Sequence, residues 1–236
     1  MGPVDASHLA DTMADVARRI HSPQDLDTTL RTIVESAAAS LPGIDAVSIT
    51  LAHHDGRMET KVATDQLVWD LDRLQYELRE GPCVYAIDAE TVVKVEHADT
   101  DPRWPAYMKE ATSRGVRSQM GLQLYVNEET IGGLNMYSLS SDTIDPELEH
   151  AAELFATHAA LALGHARLEG QLREAMESRQ LIGQATGILM ERYQLDEKRA
   201  FDYLIRVSSH SNTKLRVVAR EVVDQTVTRA TATDPA

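Results

Sequence analysis

The sequence predicts an α+β fold over the first part of the chain and an all-α unit after it. Apolar and polar residues alternate in several short segments between residues 46 and 137, which is typical of strands. Elsewhere apolar residues recur every three or four positions, which is typical of amphipathic helices. We therefore expect a sheet of about five mostly antiparallel strands with flanking helices, joined by a long helix to a small helical bundle.

Length and composition are those of a protein with one ordinary domain and a smaller second one. The chain has 236 residues, and its apolar runs are far shorter than the roughly 20 residues that span a bilayer. The N-terminus has neither the basic nor the apolar segment of a secretory signal, and the single cysteine, Cys83, suits a reducing compartment. We expect a cytoplasmic protein without membrane contact.

Two helices are predicted before the sheet. Apolar residues at helical spacing over residues 8–20 predict an amphipathic helix within an N-terminal segment, 1–21. Ser22-Pro23 provides an N-cap followed by proline at the first helical position, so a second helix is predicted from there to about Ala39.

The alternating segments predict the strands of the sheet, and turn residues separate them. Asp55-Gly56 is a hairpin turn between the first two strands, and residues 127–129 join the last two. Short helices are predicted over residues 65–79 and 104–113. The predicted strands are 46–51, 58–63, 92–95, 118–126 and 130–137.

One long helix is predicted from Asp145-Pro146 to about Tyr193, because no helix-ending signal occurs between them. A 3-4 repeat of apolar residues along it is typical of a coiled coil and predicts a parallel homodimer, although His165, Arg179 and Thr186 interrupt the repeat. The alternative is a pair of helices that breaks near one of two glycines, Gly164 or Gly170. The residues of the repeat are Leu161, Leu168, Leu172, Ala175, Ile182 and Leu189.

Charge is distributed unevenly along the chain. The formal net charge is −14, yet residues 197–220 contain six basic residues and two acidic ones, Glu197 and Asp202. A local basic surface can bind phosphates while the acidic remainder suppresses indiscriminate association. The basic residues of this segment are Lys198, Arg199, Arg206, Lys214, Arg216 and Arg220.

The segment 165–228 resembles an ANTAR domain. After Tyr193, Asp196 is a predicted N-cap and Ser211-Asn212 separates two further helices. The resemblance implies a three-helix bundle that binds, as a dimer, paired RNA stem-loops in leader transcripts. Such binding would control transcription antitermination or translation. The residues that carry it are Arg179, Ile182, Gln184-Ala185, 187-GILMER-192, Ala200-Phe201, Leu204, Arg206, Asn212, Lys214-Leu215 and Ala219.

The chain departs from this resemblance at two positions. Thr186 stands where many members have lysine, and Gly183 stands where an acidic residue is usual. These differences concern the set of RNA contacts.

Candidate RNA contacts follow from the chemistry of the residues in this segment. Small residues allow close approach, basic side chains hold phosphates, and Ser208, Ser209 or Asn212 can hydrogen-bond a base edge or a 2′-hydroxyl. Two alternatives stay open: Ala185 and Ala200 can be helix-packing positions, and Phe201 is predicted to be core. The candidate residues are Gln184, Ala185, Gly187, Ile188, Arg192, Lys198, Arg199, Ala200, Arg206, Ser208, Ser209, Asn212, Thr213, Lys214 and Arg216.

Residues 22–164 resemble a GAF domain, a small sensory fold. The segments 74-LQYELREGPCVYAI-87 and 117-RSQMGLQLYV-126 carry this resemblance. It implies an unknown small-molecule ligand or none, since the fold binds several classes of ligand. We expect no cofactor and no metal, and we expect Cys83 to be a buried packing residue. His53-His54 is predicted to be an exposed turn, and Trp104 is predicted to be a core anchor.

The sequence argues against an enzyme. It has no phosphate-binding glycine loop before a helix, no Gly-x-Ser-x-Gly elbow and no metal-spaced Cys/His set. Two other classes stay open: a DNA-binding helix-turn-helix regulator and a GAF dimer that acts by protein contacts alone. We expect RNA rather than DNA as the partner. The predicted organisation is an N-terminal helix (1–21), a GAF domain (22–164), a coiled-coil helix with an ANTAR domain (165–228) and a frayed tail (229–236).

Overall fold

A computed structural model of the protein describes residues 26–89, 91–126 and 129–233, together with Asp11, Ala14 and Arg18, which are helical. The chain divides into two compact units, residues 1–166 and 167–236. Most of the predicted helix over residues 8–20, the predicted helix start at Ser22-Pro23 and most of the turn at 127–129 lie outside the described residues. Within the described residues, no helix combines the length and apolar character needed to cross a membrane.

The first unit contains a five-stranded antiparallel sheet in the order β2-β1-β5-β4-β3. This arrangement confirms the α+β prediction and the positions of the five strands. The elements are α1 (Leu26–Ser40), β1 (Ala46–Ala52), β2 (Met58–Ala63), α2 (Gln66–Leu78), α3 (Pro82–Asp88), β3 (Val92–Val95), α4 (Pro105–Ser113), β4 (Ser118–Val126), β5 (Glu129–Ser138) and the start of α5 (Pro146–Tyr193).

Both faces of the sheet are covered, because alternate residues of each strand point to opposite sides. Val47 and Ile49 of β1 pack in one core with α1 and with Phe155 of α5. Ala46 lies in the second core, which α2, α3 and α4 cover and which includes Tyr107 and the predicted anchor Trp104. The sheet is therefore buried on both sides.

The sequence did not predict α3. The helix is seven residues long, too short for a periodic pattern, and it begins with Pro82 after Gly81, whose φ is 116°. Its first turn lies directly against β4, where a Cβ on Gly121 would come within 2.6 Å of the Pro82 carbonyl oxygen. Glycine at 121 is what lets the two backbones approach this closely.

The second unit is a bundle of the last part of α5 with α6 (Glu197–Ser211) and α7 (Leu215–Thr233). Asp196 is the N-cap of α6, as predicted, and its carboxylate accepts a hydrogen bond from the Arg199 N–H at 2.8 Å. Helix α7 continues to Thr233, so the predicted tail from residue 229 is helical over most of its length. The bundle core contains Ala185, Leu189, Ala200, Leu204, Val218 and Ala219.

Helix α5 is continuous over 48 residues. The alternative of two helices that break near Gly164 or Gly170 is therefore wrong. Gly164 packs against Val126, whereas in the part of the chain that the structure describes nothing lies within 4 Å of a Cβ built on Gly170.

The residues of the 3-4 repeat on α5 differ in their surroundings. Leu161, Leu168 and Leu172 are each more than half exposed. Leu189, in contrast, is buried in the bundle, and Ile182 packs against the same core. The last part of the repeat thus belongs to the bundle, and the earlier leucines form an uncovered stripe.

The contact at Gly121 gives a stability prediction. Gly121→Ala should lower the free energy of unfolding of the first unit by about 1–3 kcal/mol, because its Cβ would press on the Pro82 backbone. Urea unfolding followed by tryptophan fluorescence measures this, since both tryptophans, Trp69 and Trp104, lie in that unit. Gly133→Ala is the control: the nearest neighbours of its Cβ would be side-chain atoms, of Ile87 at 3.4 Å and of Cys83 at 3.6 Å. Equal losses in the two variants would contradict the assignment.

Candidate functional site

The bundle core decides which side chains of the second unit face outward. Ala200 and Leu204 of α6 are completely buried, so the helical period places Lys198, Arg199 and Arg206 outside the core. Lys214 precedes α7 and is also exposed. The surface formed by Lys198, Arg199, Arg206 and Lys214 is called the basic surface below.

The predicted RNA contacts fall into three groups by exposure. Most are accessible, some are half-buried, and two are buried. The exposed residues are Gln184, Gly187, Lys198, Arg199, Arg206, Ser209, Asn212 and Lys214; the half-buried ones are Ile188, Arg192, Ser208, Thr213 and Arg216; the buried ones are Ala185 and Ala200.

Two predictions about small and aromatic residues need correction. Ala185 and Ala200 are 0% exposed and lie in the bundle core, so the packing interpretation holds and their side chains do not offer a surface for close approach. Phe201 was predicted to be core, but it is 38% exposed. The small side chain of Ala200 lets two helices approach, so Ala200 lies in the core. Because consecutive residues of a helix point in different directions, the adjacent Phe201 faces outward.

Gly187 differs from the two alanines. No atom of the described residues lies within 4 Å of a Cβ built on it, and it borders an open groove of about 500 Å³ between α5 and α7. The groove brings together four predicted contacts, Gln184, Gly187, Ile188 and Arg192. The Arg192 guanidinium donates a hydrogen bond to Thr226 Oγ1 at 2.9 Å, which fixes it at the groove wall.

The turn between α6 and α7 is held by three predicted contact residues. Asn212 is the C-cap of α6 and has a φ of 51°, a left-handed conformation that asparagine tolerates. The Ser208 hydroxyl donates to the Thr213 carbonyl at 2.6 Å, and the Thr213 N–H donates to the Ser208 carbonyl at 3.0 Å. These bonds shape the turn that presents Lys214, and they occupy the Ser208 hydroxyl.

The cations of the second unit are paired to different degrees. Arg216 forms an ion pair with Glu174 of α5, and Arg199 lies 3.5 Å from Asp196 with both groups exposed. Among residues 167–228, which the structure describes, Lys198, Arg206 and Lys214 form no ion pair. Arg173, Arg179 and Arg220 are likewise exposed and without an ion pair in that segment, but Lys198, Arg206 and Lys214 are the ones that belong to the basic surface.

The sequence reasoning missed an aromatic pair beside the basic surface. Tyr193 ends α5 and Tyr203 lies on α6, and their ring centroids are 6.3 Å apart with an interplanar angle of 33°. Both rings are exposed, Tyr193 at 55% and Tyr203 at 40%. The sequence contained one indication of this: Tyr203 is next to Leu204, and consecutive residues of a helix point in different directions, so a buried Leu204 favours an outward-facing Tyr203.

The first unit contains a buried polar cluster centred on Asp72 of α2. Its carboxylate accepts hydrogen bonds from Ser48 Oγ at 2.6 Å, Thr60 Oγ1 at 3.0 Å and Tyr137 Oη at 2.5 Å. The Asn135 amide also donates to it, at 3.2 Å. Three strands are thus attached to one helix through a single side chain.

Burial shifts the protonation of this cluster. It raises the pKa of Asp72 to about 6, and the hydrogen bonds from Ser48, Tyr137, Thr60 and Asn135 oppose that rise. Burial, together with the nearby Asp72, also raises the pKa of the Cys83 thiol to about 12. Cys83 is completely buried and 3.5 Å from Thr50 Oγ1, which fits a packing residue and not a reactive thiol.

Two amide atoms of the first unit, one of them in this cluster, form no hydrogen bond with the described residues. They are Asn135 Oδ1 and Gln119 Nε2, both buried. Among the same residues, no three His, Cys, Asp or Glu side chains come together as metal ligands would. His54 is exposed and His53 is half-buried at the β1–β2 turn, close to the predicted placement.

Comparison with known proteins agrees with this architecture of an α+β unit followed by a helical unit. A GAF domain family model matches residues 23–164, and an ANTAR domain model matches residues 170–223. The chain belongs to the GAF domain family and has an ANTAR domain after the GAF domain. Both are regulatory domain types, for signal sensing and RNA binding, and not catalytic ones.

Curated relatives include the anaerobic nitric oxide reductase transcription regulator NorR of Shigella flexneri, 27% identical over 214 residues, and that of Escherichia fergusonii, 26% identical over the same length. Each alignment covers 84% of this chain and 40% of the relative. The chain therefore spans about two fifths of the length of these relatives.

Solved structures show the same fold for the first unit. The GAF domain of a phosphoenolpyruvate-protein phosphotransferase from Coxiella burnetii superposes with a TM-score of 0.57 at 19% identity, over 71% of this chain and 99% of that one. The phycoerythrobilin-bound GAF domain of a cyanobacterial phytochrome gives 0.55 at 17% identity, over 69% and 97%.

The raised pKa of Asp72 predicts a pH dependence of stability. Its folded pKa of about 6 exceeds the ordinary value of 3.8, so the folded state binds the proton more tightly. Stabilisation from this group is complete below about pH 4 and is lost as pH rises through 6, at a cost of about 3 kcal/mol. Asp72→Asn should abolish this component of the slope in urea unfolding followed by tryptophan fluorescence.

The exposed Asp65→Asn is the control for that experiment, and it should keep the slope of the unchanged protein. An Asp72→Asn variant that loses stability with pH as steeply as the unchanged protein would contradict the assignment.

Proposed function

We propose that the protein is a cytoplasmic, dimeric, RNA-binding regulator of gene expression. In this proposal the ANTAR domains of two chains bind paired stem-loops of a leader transcript and thereby control antitermination or translation. The observation that carries the proposal is the ANTAR domain whose basic surface includes exposed cations, Lys198, Arg206 and Lys214, that form no ion pair within the described residues 167–228.

The basic surface suits a phosphate backbone. A cation without an ion pair can contact a phosphate directly, because no internal ion pair has to break first. Each such contact releases counterions from the RNA, so binding is stronger at low salt. Arg199 is held only by an exposed pair with Asp196, which contributes little and exchanges readily. The first unit, residues 1–166, contains 27 acidic residues and 12 basic ones, and this excess of negative charge suppresses unspecific binding.

The groove at Gly187 supports close approach of RNA on a second side of the bundle. Glycine leaves open space there, and Gln184 and Arg192 offer hydrogen-bond donors at its edge. A side chain at 187 would fill that space. Ile188 and Val223 supply apolar wall against which a sugar or base can pack.

Dimerisation is supported by the uncovered leucines of α5. Leu168 and Leu172 occupy successive positions of the 3-4 repeat and are more than half exposed. A second copy of the helix would bury them, and full burial of a leucine side chain contributes about 1.5–3 kcal/mol. A dimer presents two basic surfaces, which matches an RNA with two stem-loops.

The GAF domain is proposed to sense a signal, with an unidentified small molecule as its ligand. Support comes from the fold and from the NorR relatives, which are transcription regulators. The signal would reach the ANTAR domain along α5, which is continuous from Pro146 to Tyr193.

Charge reversal on the basic surface tests RNA binding. The variant Arg206→Glu/Lys214→Glu should bind a tandem stem-loop RNA about tenfold or more weakly, because two phosphate contacts become repulsive. Its plot of log affinity against log salt should be shallower by roughly 1 to 2 units. The RNA is enriched by the unchanged protein from a pool of tandem hairpins with randomised loops, and affinity is measured by fluorescence anisotropy.

Arg31→Glu/Lys109→Glu is the control, since it makes the same charge change on the first unit and should leave affinity unchanged. The RNA with scrambled loops and a duplex DNA of equal length complete the series. Equal affinity for these competitors, or failure to enrich any RNA, would reject the proposed function.

Charging the leucine stripe tests dimerisation. Leu168→Lys/Leu172→Lys should be monomeric in sedimentation experiments, because it places like charges in the seam and removes its apolar contacts. Its affinity for the tandem RNA should fall together with dimerisation. Gln180→Lys, which adds a charge outside the 3-4 repeat, should remain dimeric. A monomeric unchanged protein, or a double variant that still dimerises, would contradict this arrangement.

A further inference from the structure

The aromatic pair Tyr193–Tyr203 lies outside the bundle core. Both rings are substantially exposed although they contact each other at 6.3 Å between centroids. The core beneath is complete without them, since Ala200 and Leu204 are already fully buried. Packing of the bundle therefore does not require these two rings, and their exposed faces are available to a partner.

Positive charge flanks the pair. Arg199 is four residues before Tyr203 and Arg206 is three residues after it, so both lie on the same face of α6 as the tyrosine. Among residues 167–228 of the described chain, Arg206 forms no ion pair. Asp202 is turned about 100° from Tyr203 around the helix, on the side where the two arginines lie. The carboxylate that pairs with Arg199 is that of Asp196, at 3.5 Å. The face thus carries a cation on each side of the ring along the chain, Arg206 without an ion pair among the described residues 167–228 and Arg199 in an exposed pair that exchanges readily.

An arrangement of this kind is what single-stranded nucleic acid requires. Unpaired bases stack on aromatic rings, while cations spaced along the surface hold the phosphates on either side. A duplex offers no free base face to such a ring, because its bases are stacked on one another. The occupant is therefore an unpaired nucleotide and not a double-stranded segment.

We propose that the Tyr193–Tyr203 pair is a stacking surface for an unpaired base of an RNA loop, with Arg199 and Arg206 binding the adjacent phosphates. This inference rests on the proposed function, since it assigns the loop contact of the same RNA. It makes Tyr203 a determinant of loop recognition that the basic side chains alone do not provide.

Substitution of Tyr203 separates stacking from charge and from folding. Tyr203→Ala should weaken binding of the enriched tandem stem-loop RNA about tenfold, the loss typical of one base-stacking contact. Tyr203→Phe keeps the ring and should bind as the unchanged protein does. Because the plot of log affinity against log salt reports phosphate contacts, Tyr203→Ala should leave its slope unchanged.

Tyr85→Ala is the matched control. Tyr85 is 42% exposed and also pairs with an aromatic ring, Trp104 at 5.8 Å, but it lies in the GAF domain. This variant should retain full RNA affinity. Circular dichroism melting of Tyr203→Ala should match that of the unchanged protein, which would exclude unfolding as the cause of weaker binding.

Photochemical cross-linking gives a direct readout of stacking. RNA with 5-iodouridine at single loop positions should cross-link to Tyr203 or Tyr193 from one position, and mass spectrometry identifies the residue. If the unchanged protein binds the loop but Tyr203→Ala binds equally well and no cross-link reaches either tyrosine, the stacking surface is rejected while the proposed function stands. If the unchanged protein binds no RNA, both are rejected.

Discussion

Packing of three alanines at the centre of the bundle is the constraint on which the second unit depends. Ala185, Ala200 and Ala219 come from three different helices and are each completely buried. Small side chains at these points let the helices approach closely, and close approach fixes the rotation of each helix about its axis. That rotation decides that Arg206, Phe201 and Tyr203 face outward. The surface chemistry of the unit is thus a consequence of its smallest core residues.

A different interaction organises the GAF domain. The Asp72 carboxylate connects α2 to β1, β2 and β5 through hydrogen bonds from Ser48, Thr60, Tyr137 and Asn135. Ionising a buried carboxylate costs free energy, and the four hydrogen-bond donors around Asp72 offset that cost. The core beneath α2 to α4 is therefore polar at its centre, where an aliphatic core would suffice for stability alone.

Local patterns in the sequence were enough for most of the architecture. The five strands, the continuous α5 and the N-cap Asp196 follow from period, β-branched content and capping residues, which act over a few positions. Helix α3 was not predicted, because seven residues are too few to show a helical period and because its position depends on Gly121, which is remote in sequence. Phe201 was assigned to the core for its hydrophobicity, although the buried neighbour Ala200 already occupies that face.

The sequence by itself determined the two-domain organisation, the ANTAR motif and the local excess of basic residues, because these are properties of composition and short-range order. Only the tertiary structure decided which motif residues are accessible. In the folded protein, Ala185 and Ala200 are buried, and Ser208 and Thr213 are hydrogen-bonded in the α6–α7 turn. Arg216 is paired with Glu174, and Tyr193 contacts Tyr203. These outcomes depend on how helices distant in the chain rotate and pack against one another, and no local pattern contains that information.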